Sequence, residues 1–268
     1  MKVMVGEIIR YTKIYWLYFK QSLMLFMTHR FNLIMSVVGN FVWTFGQIIS
    51  MRFLFTKLPA IQGWTFHDLV LLLVFGQCAV YLSFVFFESN LAKIGGKIIR
   101  GELDSKLVKP ISIMFQLSFE DVLVAQIIPM FITVIPLFFY GLSGVAEITI
   151  WKLLMGFVVP IMGLIIKYYT LVIVSGLFFW VDRLHIFSIY TELREFNRVP
   201  PTLFPKWVEN VFTYVIPVLF VSYYPLMVSK GVFGFLKILV MESCVLLFMM
   251  LSSLFVWKKG IKRYSGIG

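Results

Sequence analysis

Six stretches of the chain are dominated by apolar side chains, and each is long enough to cross a bilayer. They run over Phe31–Phe55, Phe66–Phe87, Val122–Leu142, Leu153–Val181, Trp207–Tyr224 and Ile238–Trp257. About 20 apolar residues in helical form cover about 30 Å of hydrocarbon. Lipid offers backbone N–H and C=O groups no partners, so each stretch predicts a helix that satisfies its own. The fourth stretch carries Lys167 near its middle. A central lysine costs about 2.5–3.5 kcal/mol, and each Leu, Ile, Val or Phe returns about 0.3–0.6 kcal/mol, so the segment still inserts. Its length leaves room for tilt or an internal break.

The segment before the first stretch follows another pattern. At 100° per residue, Glu7, Arg10, Lys13, Lys20 and Gln21 share one sector, while Ile8, Ile9, Tyr15, Trp16, Phe19, Leu23 and Phe26 fill the remainder. This is the signature of an amphipathic helix lying in the interface over residues 1–30. The alternative is an extension of the first span. The expected fold is therefore an all-α polytopic membrane protein: an interfacial N-terminal helix, a six-helix domain over 31–257, and a basic tail over 258–268.

Composition supports the membrane reading. Of 268 residues, 60% are hydrophobic and 14% charged, with a mean hydropathy of +0.91. Soluble domains run at about 45–50% apolar and about 25% charged. The net charge of +11 could suit nucleic acid, but the cations lie between apolar runs instead of forming one patch, which favours an anionic membrane face. Cys78 and Cys244 sit inside apolar runs with no metal-like spacing, and read as buried hydrophobes. No cleavable leader is expected, since the first 30 residues lack a compact apolar segment and a small-residue cleavage site.

The cations also orient the chain. One side collects Lys2, Arg10, Lys13, Lys20 and Arg30, then Lys93, Lys97, Arg100, Lys106 and Lys109. To these it adds Arg183, Arg194, Arg198 and Lys206, then Lys258, Lys259, Lys262 and Arg263. The other side has Lys57, Lys152, Lys230 and Lys237. The positive-inside rule then predicts cytoplasmic N- and C-termini in the cell (inner or plasma) membrane, in keeping with an even number of spans.

The connection after the second stretch is rich in candidate chemistry. In Asn90–Ser112, Leu91, Ile94, Ile98 and Ile99 keep a helical period, with Lys93, Lys97 and Arg100 off that stripe. Gly101 can end a helix, Asp104 can cap the next turn and Pro110 can stop it. Short helices parallel to the membrane fit this pattern, and so does a basic loop lying on anionic lipid.

The run G-E-L-D-S-K-L-V-K-P-I-S, Gly101–Ser112, resembles the cytoplasmic loop of six-span permease subunits of ATP-binding-cassette (ABC) exporters, the drug, lipid and polysaccharide class. The closing Trp257–Gly268 run and the Ile216-Pro217 and Tyr224-Pro225 turns are similar to theirs as well. The resemblance implies two permease subunits, identical or related, above two separately encoded ATPases. The ATPases would hold ATP and Mg, and this chain would bind no cofactor. It implies a coupling helix within about 90–112, carried by Ile98, Arg100, Gly101, Glu102, Leu103, Asp104, Leu107, Lys109 and Pro110. Gly101 and Pro110 would bound it, Asp104 would orient it and Leu107 would bury in the ATPase. The implied cargo is an amphipathic or hydrophobic drug, lipid or peptide moved outward.

The chain has no G-x-x-x-x-G-K-[ST] phosphate loop, because Gly95-Gly96-Lys97 lacks the spacing and the Ser or Thr, so energy must come from a partner or an ion gradient. Intramembrane ionisable groups are functional candidates. Lys167 and Glu242 are read as lining a cargo path or pairing, whereas Arg52 and Glu88 are read as reaching the interface. His29, His67 and His185 fall near span ends without metal-ligand neighbours. Two other functions compete. An ion-coupled secondary transporter or channel would need charged or broken spans near the midplane. An intramembrane serine protease would use Ser143 of Gly141-Leu142-Ser143-Gly144, with His67 as the partner that topology permits.

Overall fold

The computed structural model describes residues 2–28, 30–56, 60–145, 148–181 and 186–264. Lys57, Arg183, His29, His185 and the Ser265–Gly268 end of the tail, all named above, lie outside them. The described residues form helices and turns, with one isolated bridge between Ile61 and Trp64.

The chain begins with α1 (Lys2–Thr28) and α2 (Arg30–Leu54), followed by α3 (Phe66–Ser83), which runs on through a π-turn at Phe84–Glu88. Four short helices follow: α4 (Ser89–Ala92), α5 (Ile94–Ile99), α6 (Asp104–Leu107) and α7 (Ile113–Phe119). Then come α8 (Ile127–Ser143), α9 (Ile150–Gly176), α10 (Ile186–Leu193), α11 (Lys206–Asn210), α12 (Tyr223–Ser229) and α13 (Phe235–Arg263). Among the described residues, five helical stretches are long and apolar enough to cross a membrane: Ile34–Leu54, Phe66–Ile99, Val124–Ser143, Ile150–Phe179 and Phe235–Arg263.

α3 is the central element. It starts with a capping box in which Thr65 Oγ1 accepts from Asp68 N and Thr65 N donates to Asp68 Oδ2. Lys230 Nζ reaches the other carboxylate oxygen at 2.8 Å. Leu71, Leu72 and Leu73 are all but inaccessible, so α3 is apolar all round because it is packed all round. α13 lies against α9, with Trp257 Nε1 donating to the Val172 carbonyl at 2.8 Å. A second apolar cluster lies at the far end of α3 and joins Phe87, Leu91, Ile94, Leu103, Leu117, Leu171 and Phe179.

Two predicted features differ from the structure. The expected span Trp207–Tyr224 is not one helix. α11 continues into a π-turn at Val211–Val215 and stops at Ile216, whose φ of −121° and ψ of 75° leave the helical region. The cause is Pro217, which excludes the residue before it from helical geometry. The chain then reverses through a 3-10 turn at Leu219–Val221 into α12. The two arms touch where Thr213 and Tyr224 share a hydroxyl hydrogen bond of 3.0 Å. Phe220 meets α9 at Gly163, where an added Cβ would stand 2.7 Å from the Phe220 carbonyl oxygen, and Ser229 lies against Gly156 nearer the start of α9.

The second difference concerns the segment carrying Arg194 and Arg198, which the sequence sets between two predicted spans on the cation-rich side. Residues 194–202 instead run antiparallel to α3 along its length. Arg194 pairs with Glu88, Asn197 covers Gly76, and Thr202 Oγ1 accepts from Trp64 Nε1 at 2.8 Å. Arg194 and Arg198 therefore pack against or beside α3 and do not stand on a free loop.

Candidate functional site

The polar chemistry gathers in two places: a platform over residues 90–121 and a buried charge network beside the π-turn. α5 ends in a Schellman motif. Gly101 has a φ of +69°, Gly101 N donates to the Ile98 carbonyl and Glu102 N donates to the Lys97 carbonyl. A side chain at residue 101 would strain this turn. Asp104 opens α6 in its first turn, but its side chain makes no cap bond.

Glu120, which lies beyond the loop considered in the sequence, ties the platform together by pairing with both Lys97 and Lys106. Lys93 reaches Asp121 at 3.2 Å. Asn90 Nδ2 donates to the Ser118 and Asp121 carbonyls at 3.0 and 2.7 Å. Burial pushes the Lys106 ammonium below the usual lysine range, with neighbouring Lys109 adding to the effect. The Glu102 carboxyl is held low chiefly by its bond from Arg100. That pair is exposed, so it adds little to stability. α1 braces the platform. Arg10 Nη2 donates to the Pro110 carbonyl at 2.6 Å, Tyr11 OH accepts from Ser112 N, and the Tyr11 ring packs edge-on to Phe115.

Among the predicted coupling residues, Leu103 is completely buried while Leu107 and its neighbour Val108 are 44% and 83% exposed. Ile98 is half-buried, and Arg100, Asp104, Lys109 and Pro110 are exposed. The platform is anchored inward by Leu103 and presents Leu107, Val108 and Ile99 outward.

In the second place, the fully buried Glu88 carboxylate receives Lys167 Nζ at 3.0 Å, Ser83 Oγ at 2.5 Å and Arg194. Lys167 Nζ also donates to Ser83 Oγ at 2.6 Å. Arg194 lies 3.6 Å from Glu195, which pairs with Arg198. Glu88 therefore does not reach the interface as expected, because two cations and a hydroxyl satisfy it within the bundle. Lys167 pairs with Glu88 and not with Glu242. Glu242 is completely buried on α13, and neither carboxylate oxygen has a hydrogen-bond partner among the described residues. Arg52 is exposed, over the Phe66 ring.

Ser143 Oγ donates to the Tyr140 carbonyl at 2.7 Å, and His67 packs its ring on Tyr140. No Ser143–His67 hydrogen bond occurs among the described residues, where Ser143 is bonded to the backbone instead.

The chain is thus a helical membrane domain whose polar chemistry gathers in a braced platform and a buried network. The family profile described as ABC-2 family transporter protein matches residues 41–268, and the chain belongs to that family. Its members are membrane subunits and not themselves ATPases. No curated protein and no solved structure matches the chain.

Proposed function

We propose that this chain is the membrane-spanning subunit of an ABC exporter, driven by separate ATPase subunits that grip the 90–121 platform. The supporting observation is the division of apolar residues on the platform: Leu103 is sealed inside while Leu107 and Val108 protrude. An apolar knob on a braced mount can enter a partner's groove and pass force back without folding away. The ion pairs of Glu120 hold that mount together, and the π-turn at Phe84–Glu88 joins it to α3.

Six crossings follow if 186–203 is the fifth, with residues 204–234 dipping in and returning from the outer side. Arg194 and Arg198 then leave the cytoplasmic set of cations and Lys206 moves outward. The asymmetry remains at fifteen inside against five outside, so both termini stay cytoplasmic. ATP and Mg belong to the partner, a second permease subunit completes the membrane unit, and the cargo is amphipathic or hydrophobic.

The test is co-purification with a separately encoded ABC ATPase, followed by transport in vesicles. Leu107→Asp and Val108→Asp together should reduce ATPase retention and ATP-driven transport about 100-fold, the effect of losing two buried apolar anchors. Full retention of both would reject the platform as the docking element.

A further inference from the structure

Beyond the π-turn, the platform meets the membrane helices again at the end of α9. That helix closes in a 3-10 turn at Leu177–Phe179, with Trp180 N donating to the Leu177 carbonyl at 3.0 Å. At about three residues per turn, neighbouring side chains leave such a turn about 120° apart. Phe178 and Phe179 therefore point to different sides. Phe178 meets Gly95 of α5, where an added Cβ would stand 2.9 Å from its ring. Phe179 meets Gly260 of α13, where an added Cβ would collide with its ring. It also packs edge-on to Trp257, with ring centroids 5.5 Å apart.

Both contacts set a ring directly against backbone. Neither glycine has a side chain that could turn aside, and a packed interior is barely compressible, so it passes strain on. A displacement of α5 therefore reaches the end of α9, and from there the C-terminal end of α13. The neighbouring packing is equally close. An added Cβ at Gly176, one residue before the turn, would stand 2.7 Å from Val256 Cγ1 of α13. Ile94 and Leu103 of the platform share one buried cluster with Phe179 and Trp257, and Tyr264 packs on it from the end of α13. The two routes out of the platform differ in freedom. The π-turn leads into α3, which is packed all round. The 3-10 turn leads to α13, where Leu236, Leu247, Phe248 and Leu251 are each more than half exposed. That helix can shift against lipid, whereas α3 cannot shift without repacking its neighbours.

We infer that Phe178 and Phe179 are positioning residues that carry displacement of the platform to α13, with Gly95 and Gly260 as the seats of the two rings. The inference rests on the transporter reading and deepens it by naming the side chains through which a docked ATPase moves a membrane helix. The two fail separately. A chain that retains no ATPase rejects the reading and the inference with it. A chain that retains the ATPase and moves α13 without the Phe178 ring rejects the inference alone.

The experiment places the full chain in nanodiscs with a separately encoded ABC ATPase, after replacing Cys78 and Cys244 by alanine. Spin labels on Ser105→Cys and Phe139→Cys read the platform, and labels on Lys258→Cys and Phe139→Cys read the end of α13. All three positions are exposed. Dilution with unlabelled chain restricts the distances to one subunit. A non-hydrolysable ATP analogue should shift both distances by about 2 Å, the scale of helix shifts in switching proteins. Phe178→Ala should keep ATPase retention and the platform shift but lose the Lys258 shift. Phe178→Tyr, which keeps the ring, should retain all three. Phe179→Leu thins the contact with α13 and should give the same loss from the other side. A purely structural role would lower yield and retention together, without separating the two distances. A wild-type chain with no Lys258 shift, or a shift that survives either Phe178→Ala or Phe179→Leu, would overturn the inference. Loss of ATPase retention or of the platform shift in Phe178→Ala would overturn it equally, by assigning the ring to the docking surface itself.

Discussion

Glu88 and Glu242 are both completely buried among apolar helices, yet their surroundings differ in every polar respect. Glu88 lies where three parts of the chain converge: Ser83 from its own helix, Lys167 from α9 and Arg194 from the segment after α10. Glu242 lies on the packed face of α13 with Ile238, Val245 and Met249, and neither of its oxygens has a hydrogen-bond partner among the described residues. The difference teaches how a low-dielectric interior handles a carboxyl group. Where cations arrive from other helices, the charge is kept and becomes a tie between them. Where none arrive, the carboxyl stays without partners, as a buried polar group that nothing satisfies.

The comparison breaks most visibly at Glu88. Glu88→Ala removes the anion and leaves Lys167 buried without its counter-charge, while Arg194 keeps only its 3.6 Å contact to Glu195. Breaking one side of a buried pair costs about 3–5 kcal/mol. The expected outcome is a large fall in folded yield and in thermal midpoint in detergent, read by size-exclusion fluorescence. A midpoint within a degree of the wild-type chain would show that the network is not a structural tie.

A double substitution sharpens the same point. If the loss comes from a stranded ammonium, removing that ammonium must return part of it. Lys167→Met in the Glu88→Gln background should recover about 1–3 kcal/mol relative to Glu88→Gln alone, the range of coupling between residues in direct contact. Additive losses would mean that Lys167 contributes by packing its stem and not by its charge.

How far these features could be read in the sequence follows the same division. The apolar runs behind α3, α8, α9 and α13 were legible because each is continuous, and hydropathy averages over a window. The helix end at Gly101 was legible because a positive φ favours one residue type. The 186–203 segment was not, because Glu192, Arg194, Glu195 and Arg198 fall within seven residues and lower the local hydropathy. In isolation they read as a loop. Glu88, the partner of Arg194, is more than a hundred residues away, and no local pattern announces it. The hairpin around Pro217 failed in the opposite way. Its apolar content matches a span, and only the Ile216-Pro217 break, visible in the sequence as a turn, shows that the chain doubles back. Glu120 was missed because it belongs to the next helix in sequence and joins the platform only when α7 folds back over α5 and α6.

The smallest effect is expected at the other carboxyl. Glu242→Gln keeps nearly the same side-chain shape, and among the described residues no partner is stranded by it. The change in stability should stay within about 0.5 kcal/mol. Glu242→Leu should raise stability by about 1 kcal/mol, since it removes a buried polar group that has no hydrogen bond. Both values come from thermal or denaturant midpoints of the purified chain, set against Glu88→Gln, which should lose far more. If Glu242→Gln destabilises the chain as strongly as Glu88→Gln, then Glu242 carries a charge in the assembled protein. A cation from a partner or ligand must then face it, and the contrast between the two carboxylates would be a property of the isolated subunit alone.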